Sequence, residues 1–218
     1  MPDDALRIGC LRSVNVGEPR TVAWAGRRVR TAIWKAPAPG RVTMAGINLA
    51  GDAQADLRVH GGPDKAVYAY AIEDYQWWEG ELSTELAPGT FGENLTTAGI
   101  DLSAAVIGER WAVGTAIVEV AQPRSPCFKL GIRMGDDGFV ERFEAARRYG
   151  AYLRIVTGGD VGEGDDLTLV SRPAHGLTTA FVADVKATPD RHRVELLRAC
   201  DDMPASVHAW AERQLGRG

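Results

Sequence analysis

Sulfur is scarce in this chain. Its three cysteines, Cys10, Cys127 and Cys200, are odd in number and far apart. That argues against a disulfide framework and makes a reducing cytoplasm the default setting. No CxxC and no Cys/His cluster of zinc-site spacing occurs. A Rossmann glycine fingerprint and an iron–sulfur cysteine set are also missing. The chain therefore has no means of taking electrons from a nicotinamide cofactor unaided. No apolar run approaches the roughly 20 residues that span a bilayer, so no membrane association is expected. Met1-Pro2-Asp3-Asp4 lacks the basic and apolar regions of a secretory signal. Basic charge is not in excess: the formal net charge is -4, which argues against nucleic acid as the partner. Internal repeats and low-complexity segments are absent.

Glycine, by contrast, is abundant, with 25 in 218 residues. That predicts many tight turns and a β-rich body. Hydrophobic residues at 45% and charged residues at 25% are those of a globular protein with one sizeable core, or a main domain with a small appendage. Leu6–Val16 reads as a strand with Cys10 buried in it, and Val22–Trp34 as a hairpin turning at Gly26. Arg41–Met44, Ala66–Tyr70, Val106–Gly114, Ala116–Ala121, Tyr152–Val156 and Asp166–Val170 read as further strands. Glu73–Glu79 looks like a short helix whose aromatic face belongs in the core. Phe139–Arg148 has helical spacing, with Gly150 as its stop and Arg147 and Arg148 in a last turn where they suit the helix dipole. The pattern changes at Ser171-Arg172-Pro173. Three short helices follow: one near Thr179–Lys186, one through Arg198 with Thr188 as N-cap and Pro189 in its first turn, and one from Pro204. They are too few to bury much alone and should dock on the β body. His175, His192 and His208 read as surface or packing residues.

Gln122-Pro123-Arg124-Ser125-Pro126-Cys127-Phe128-Lys129-Leu130 stands out. Pro123 and Pro126 fix φ and remove donors, so the strand before them must end in a rigid loop. Arg124 and Lys129 make the field positive there, which favours thiolate at Cys127. A thiolate attacks electrophiles and binds soft metals; the alternative is a small hydrophobe packed at a strand end. Three other places carry polar chemistry. Lys35 is set between a strand end and a proline-rich loop and could aim at a phosphate or simply at water. His60-Gly61-Gly62 lets backbone N–H groups approach a ligand, or is merely a turn. In Gly92-Glu93-Asn94 the asparagine can donate to and accept from a heterocycle edge, or close an Asx turn.

In this order, Thr31-Ala32-Ile33-Trp34-Lys35, Gly51-Asp52, His60–Tyr68, Pro88–Leu95 and Gln122–Leu130 resemble the MOSC domain family (molybdenum cofactor sulfurase C-terminal domain), and within it the bacterial YiiM type. The likeness covers nearly the whole chain, including a helical tail like the short three-helix domain of that type. It implies a mainly β, α+β fold: a closed β-barrel with peripheral helices over residues 1–172 and a three-helix bundle over 173–218. It also implies the molybdenum cofactor, a pterin dithiolene carrying Mo (Mo-molybdopterin), with Cys127 as the metal's protein ligand. Lys35, Arg124 and Lys129 would hold the cofactor. His60, Gly61, Gly62, Gly92, Glu93 and Asn94 would line the rest of the pocket, with Glu93 and His60 as candidate proton donors. The activity implied is an oxidoreductase reaction, reduction of N-hydroxylated compounds of the hydroxylaminopurine or amidoxime type to amines. Electrons would come from a separate flavoprotein reductase or small redox carrier. Two other readings stay open: a sulfur or cofactor carrier using a Cys127 persulfide, and a purely structural barrel.

Overall fold

The computed structural model describes residues 6–55 and 61–216. Seven strands close into a barrel: β1 (Arg7–Val16), β7 (Val67–Ala71), β8 (Leu95–Ala98), β9 (Arg110–Val113), β10 (Ala116–Pro123), β11 (Ala151–Thr157) and β13 (Asp166–Ser171). Their order round the ring is β13-β9-β10-β11-β7-β8-β1, and β1 returns to pair with β13. The chain is thus the mixed β/α barrel expected.

Closure depends on β1. It is ten residues long and pairs with β13 through Arg7–Cys10 and with β8 through Cys10–Val14. Register shifts at Arg7/Gly9 and Leu11/Ser13 bend the strand from one neighbour to the other, as bulges do at barrel corners. Six of the seven ring contacts are antiparallel; β7–β8 is parallel. A parallel pair needs a crossover, and α1 (Ile72–Leu82) supplies it.

Smaller pieces surround the ring. β2 (Arg20–Trp24) and β3 (Arg27–Thr31) form the hairpin read from the sequence. β4 (Ala36–Pro37) pairs with the end of β1, while β5 (Val42–Ala45), β6 (Asn48–Leu49) and β12 (Gly159–Val161) form a three-stranded sheet. The inner core is mainly aliphatic, with Leu11, Met44, Leu95, Val118, Val120 and Leu153 buried around the single large aromatic Trp111. A second, aromatic core lies outside the wall. There α1 and α3 (Phe139–Ala146) bury Tyr75, Trp78, Phe139 and Phe143 against Tyr70 and Phe91. Trp78 and Phe143 stack at 5.9 Å.

Helices α4 (Thr179–Ala187), α5 (Arg191–Ala199) and α6 (Ala205–Leu215) follow the barrel. Their Val182, Val185, Val194, Leu197, Val207 and Ala211 join the same buried cluster as the strands, so the helices have no separate core.

Three local expectations are corrected. The helix begun at Phe139 stops at Ala146, where Arg147 takes φ 56. Arg147 and Arg148 therefore lie beyond its last turn. They pair instead with Asp184 and Asp74, on α4 and α1. The cap of α5 is Asp190, whose side chain accepts from the Arg193 N–H at 3.1 Å, and not Thr188. Cys10, read as buried in its strand, is half-buried.

Candidate functional site

A cavity of about 110 Å³ opens at one place on the barrel wall. Its wall is assembled from four stretches distant in sequence: Thr31–Lys35 after the hairpin, Asp52–Ala55 after β6, Lys65–Tyr68 entering β7, and Arg124–Lys129 leaving β10. Gly92 and Asn94 before β8, and Tyr152 on β11, complete it.

Cys127 is half-buried on this wall. Pro123 ends β10, as read from the sequence, but the loop is short. A helix, α2 (Phe128–Met134), follows at once, with Cys127 in its N-cap position. Arg124, Lys65 and Tyr152 share this wall with Cys127, so the thiol has cations and a phenol as neighbours.

Arg124 is 6% exposed. Its guanidinium donates to the Phe91 carbonyl and lies 4.8 Å from the Tyr68 ring centroid. One edge is thus fixed by the wall while the residue still borders the cavity. Lys35 forms an ion pair with Asp52, and both side chains are buried, at 9% and 3% exposure. Burial lowers the lysine pKa, and Asp52 opposes that shift without overcoming it. Asp52 Oδ1 also accepts the Gly17 N–H at 2.9 Å, and its Oδ2 accepts Asn94 Nδ2 at 2.9 Å. One carboxylate therefore ties together the end of β1, Lys35 and the strand entry at Asn94. Lys65 and Lys129 bring two more cations to the wall; burial lowers the Lys65 pKa.

Of the residues chosen from the sequence, Lys35, Gly92, Asn94, Arg124, Cys127 and Lys129 meet at this cavity. Others do not. Gly61 and Gly62 are not on its wall, and the Gly62 N–H is already donated to Gln54 Oε1 at 3.0 Å. His60 lies outside the described residues. Glu93 is fully buried behind the wall. Its Oε1 accepts from Tyr75 Oη at 2.5 Å, the Gly89 N–H at 2.6 Å and Thr96 Oγ1 at 2.8 Å. Burial raises its pKa despite those donors. It is a framework carboxyl, and the proton-donor assignment is withdrawn. Asn94 lines the cavity but closes no Asx turn. Its Oδ1 accepts the Tyr68 N–H and its Nδ2 is donated to Asp52 and the Asn15 carbonyl, which leaves little for a heterocycle edge.

Sequence reasoning gave no role to Asp52, Gln54, Lys65, Tyr68 or Tyr152. Asp52 and Lys65 fall in the Gly51-Asp52 and His60–Tyr68 stretches that carried the resemblance, and that was the available signal. Tyr152 sits in an ordinary strand pattern and gave none.

A sequence profile of the MOSC domain matches residues 56–168. The chain belongs to the MOSC domain family. Among MOSC relatives, it is 41% identical over 169 residues to the protein YflK of Bacillus subtilis (strain 168), covering 78% of this chain and 76% of that one. The protein YiiM of Escherichia coli (strain K12) is 35% identical over 146 residues, or 65% of each chain. A protein named reductase from Gibberella moniliformis (strain M3125 / FGSC 7600) is 31% identical over 76% of this chain, which spans 30% of that protein. The crystal structure of YiiM from Geobacillus stearothermophilus superposes with a TM-score of 0.80 at 27% identity, covering 95% of this chain and 99% of that one. Among the described residues, no helix of this MOSC protein is long and apolar enough to cross a membrane.

Proposed function

We propose that this chain holds a molybdenum cofactor in the cavity and reduces N-hydroxylated compounds to amines. The observation that carries the reading is the half-buried Cys127 thiol on a wall that also presents Lys35, Lys65, Arg124 and Lys129. Membership of the MOSC family and likeness to a protein named reductase support it.

The donor set fits the group. A lone thiolate is the soft ligand that molybdenum takes beside a dithiolene. The cations suit an anionic phosphate, and the planar fork of Arg124 suits bidentate contact. When bound, the cofactor supplies the two-electron redox centre that side chains lack.

The balance is R–NHOH plus two electrons and two protons giving R–NH2 and water. The N–O bond breaks and the oxygen leaves as water. The electrons come from a separate flavoprotein reductase or small redox carrier. Cys127 fixes the metal end of the site as a ligand and not as a nucleophile. Asp52 pairs with Lys35 and fixes it on the wall. Tyr68 and Tyr152 limit water at the back. Lys65 shares the cavity wall with Cys127 and has its pKa lowered by burial, which suits it to deliver a proton.

The test is elemental analysis of wild type and Cys127→Ser, both expressed in a molybdate-fed host. Wild type should carry about one Mo per chain and consume a hydroxylaminopurine when given electrons; the variant should carry little. Undiminished molybdenum in the variant overturns the assignment. Labile sulfur on Cys127 with no turnover would favour the carrier reading instead.

A further inference from the structure

The hairpin of β2 and β3 is unlike the rest of the surface. Between Arg20 and Thr31 it carries Arg20, Arg27, Arg28 and Arg30 and no acid, in a chain whose net charge is -4. Among the described residues, Arg27, Arg28 and Arg30 have no carboxylate partner. The two strands pair only with each other, so both outer edges are open. Five residues per strand make an arm about 17 Å long.

Both feet of this arm stand on the cavity. Gly17, before β2, donates to Asp52 on the cavity wall. Thr31, the last residue of β3, is itself on that wall. Arg20 at the base lies 3.7 Å over the Trp34 ring, and Trp24 is half-buried beside the turn. Arginine and tryptophan are the residue types that dominate protein–protein contact energies. Phe128, directly after Cys127, is 53% exposed.

Charges on open edges guard against strand pairing, but either sign serves that purpose. A single sign, concentrated beside a redox cavity on a net-acidic chain, serves recognition of an oppositely charged body. We infer that the β2–β3 hairpin is the docking surface for an acidic electron-donor protein, which it guides to the mouth of the Cys127 cavity. This rests on the reductive reading above, in which electrons arrive from another protein. A nucleic acid would also meet arginines. It is less suited here, because the rest of the chain repels polyanions.

The probe is an acidic FMN-carrying flavodoxin domain, titrated against wild type and against R27E/R28E/R30E. Binding is followed by calorimetry, which needs no turnover. The three arginines touch neither the cavity nor a strand outside the hairpin, and an unchanged melting temperature confirms folding. The variant should bind at least about tenfold more weakly at low salt, and the salt dependence seen in wild type should flatten. Turnover driven by a small reduced dye should be the same in both proteins, while flavodoxin-driven turnover falls in the variant alone. Equal flavodoxin affinity in both proteins overturns the docking assignment. Wild type binding a single-stranded oligonucleotide more tightly than flavodoxin, with the same loss in the variant, also overturns it. Absence of dye-driven turnover in wild type strikes the reductive reading and leaves the binding result standing.

Discussion

Asp52 should matter more to this protein than the lysine it pairs with. The two side chains are 3% and 9% exposed, so solvent screens neither. Their hydrogen bonding is unequal. Asp52 accepts from Gly17, Lys35 and Asn94, three separate segments, whereas Lys35 Nζ has Asp52 as its side-chain partner. Asp52→Asn leaves a buried ammonium without its counter-ion, a change that costs about 3–5 kcal/mol. Lys35→Met leaves a carboxylate that still accepts two N–H bonds, and the loss should be nearer about 1–3 kcal/mol. In the double variant no charge is stranded, and the coupling should return about 1–3 kcal/mol of the summed losses. The pH dependence gives a second check. Burial already lowers the Lys35 pKa, and Asp52 is the main influence raising it. Removing Asp52 lowers it further, so below about pH 10.4 the unfolded chain holds more protons than the folded one over a wider window. Stability of the variant then rises with pH through that window, and its deficit against wild type shrinks. Urea denaturation of the four proteins at about pH 7 and about pH 9.5 measures both effects. If Lys35→Met costs as much as Asp52→Asn, or if the double variant is simply additive, the account of Asp52 as the hub is wrong.

Gly89 has φ 86, and a Cβ there would sit 2.5 Å from the Lys35 carbonyl oxygen. Gly89→Ala should destabilise by about 2–4 kcal/mol and reduce bound molybdenum by displacing Lys35, read by thermal melting and elemental analysis. Lys186 on α4 is held at a pKa of about 8 by burial and by the nearby Lys65. Its folded-state pKa is depressed, so the charged form penalises the fold fully below that value, and the penalty disappears as pH rises to the unfolded value. Lys186→Met should therefore stabilise by at most about 3 kcal/mol at neutral pH, with the gain fading by about pH 10.5 in denaturation curves.

The barrel was legible because its strands are short apolar runs between glycine turns, and the three closing helices because proline and polar caps punctuate them. α2 was not legible. Phe128, Leu130, Ile132 and Met134 alternate as a strand would, and Gly131 weakens a helical reading. Leu130, Gly131 and Ile132 are nevertheless all buried, and burial against the barrel decides the conformation locally. Gly150, expected to stop a helix, instead permits close passage of the chain. A Cβ there would lie 2.4 Å from the Ala69 carbonyl oxygen, on the strand that pairs with β11. At the site, the ordered set of polar stretches identified Lys35, Arg124 and Cys127. It did not say which neighbours look inward. Glu93 and Asn94 are adjacent in sequence, yet one faces the aromatic core behind the wall and the other faces the cavity. That difference follows from their place at the entry to β8, where β7 on one side and β1 on the other set the register. Register in a closed ring depends on residues far away in sequence, and no local pattern carries it.

The cavity wall combines side chains fixed by buried bonds with one thiol that stands outside the strand ladder. Lys35, Asn94 and Arg124 are tied to strands or to strand entries by buried bonds, so their positions follow from the barrel itself. Cys127 is held differently. It stands outside the ladder, between Pro126 and a seven-residue helix, with its carbonyl accepting the Leu130 N–H at 2.8 Å. On the proposed reading, Cys127 would have to meet a metal ion at a bond length, which a thiol on a rigid strand could satisfy only by chance. A sulfur at a proline-stiffened corner would have only a small arc to search while the cations stay fixed. The same division explains why the framework carboxyl Glu93 and the hub Asp52 are sealed from solvent. Their task is to hold donors and cations in register, and exposure would weaken every bond they make.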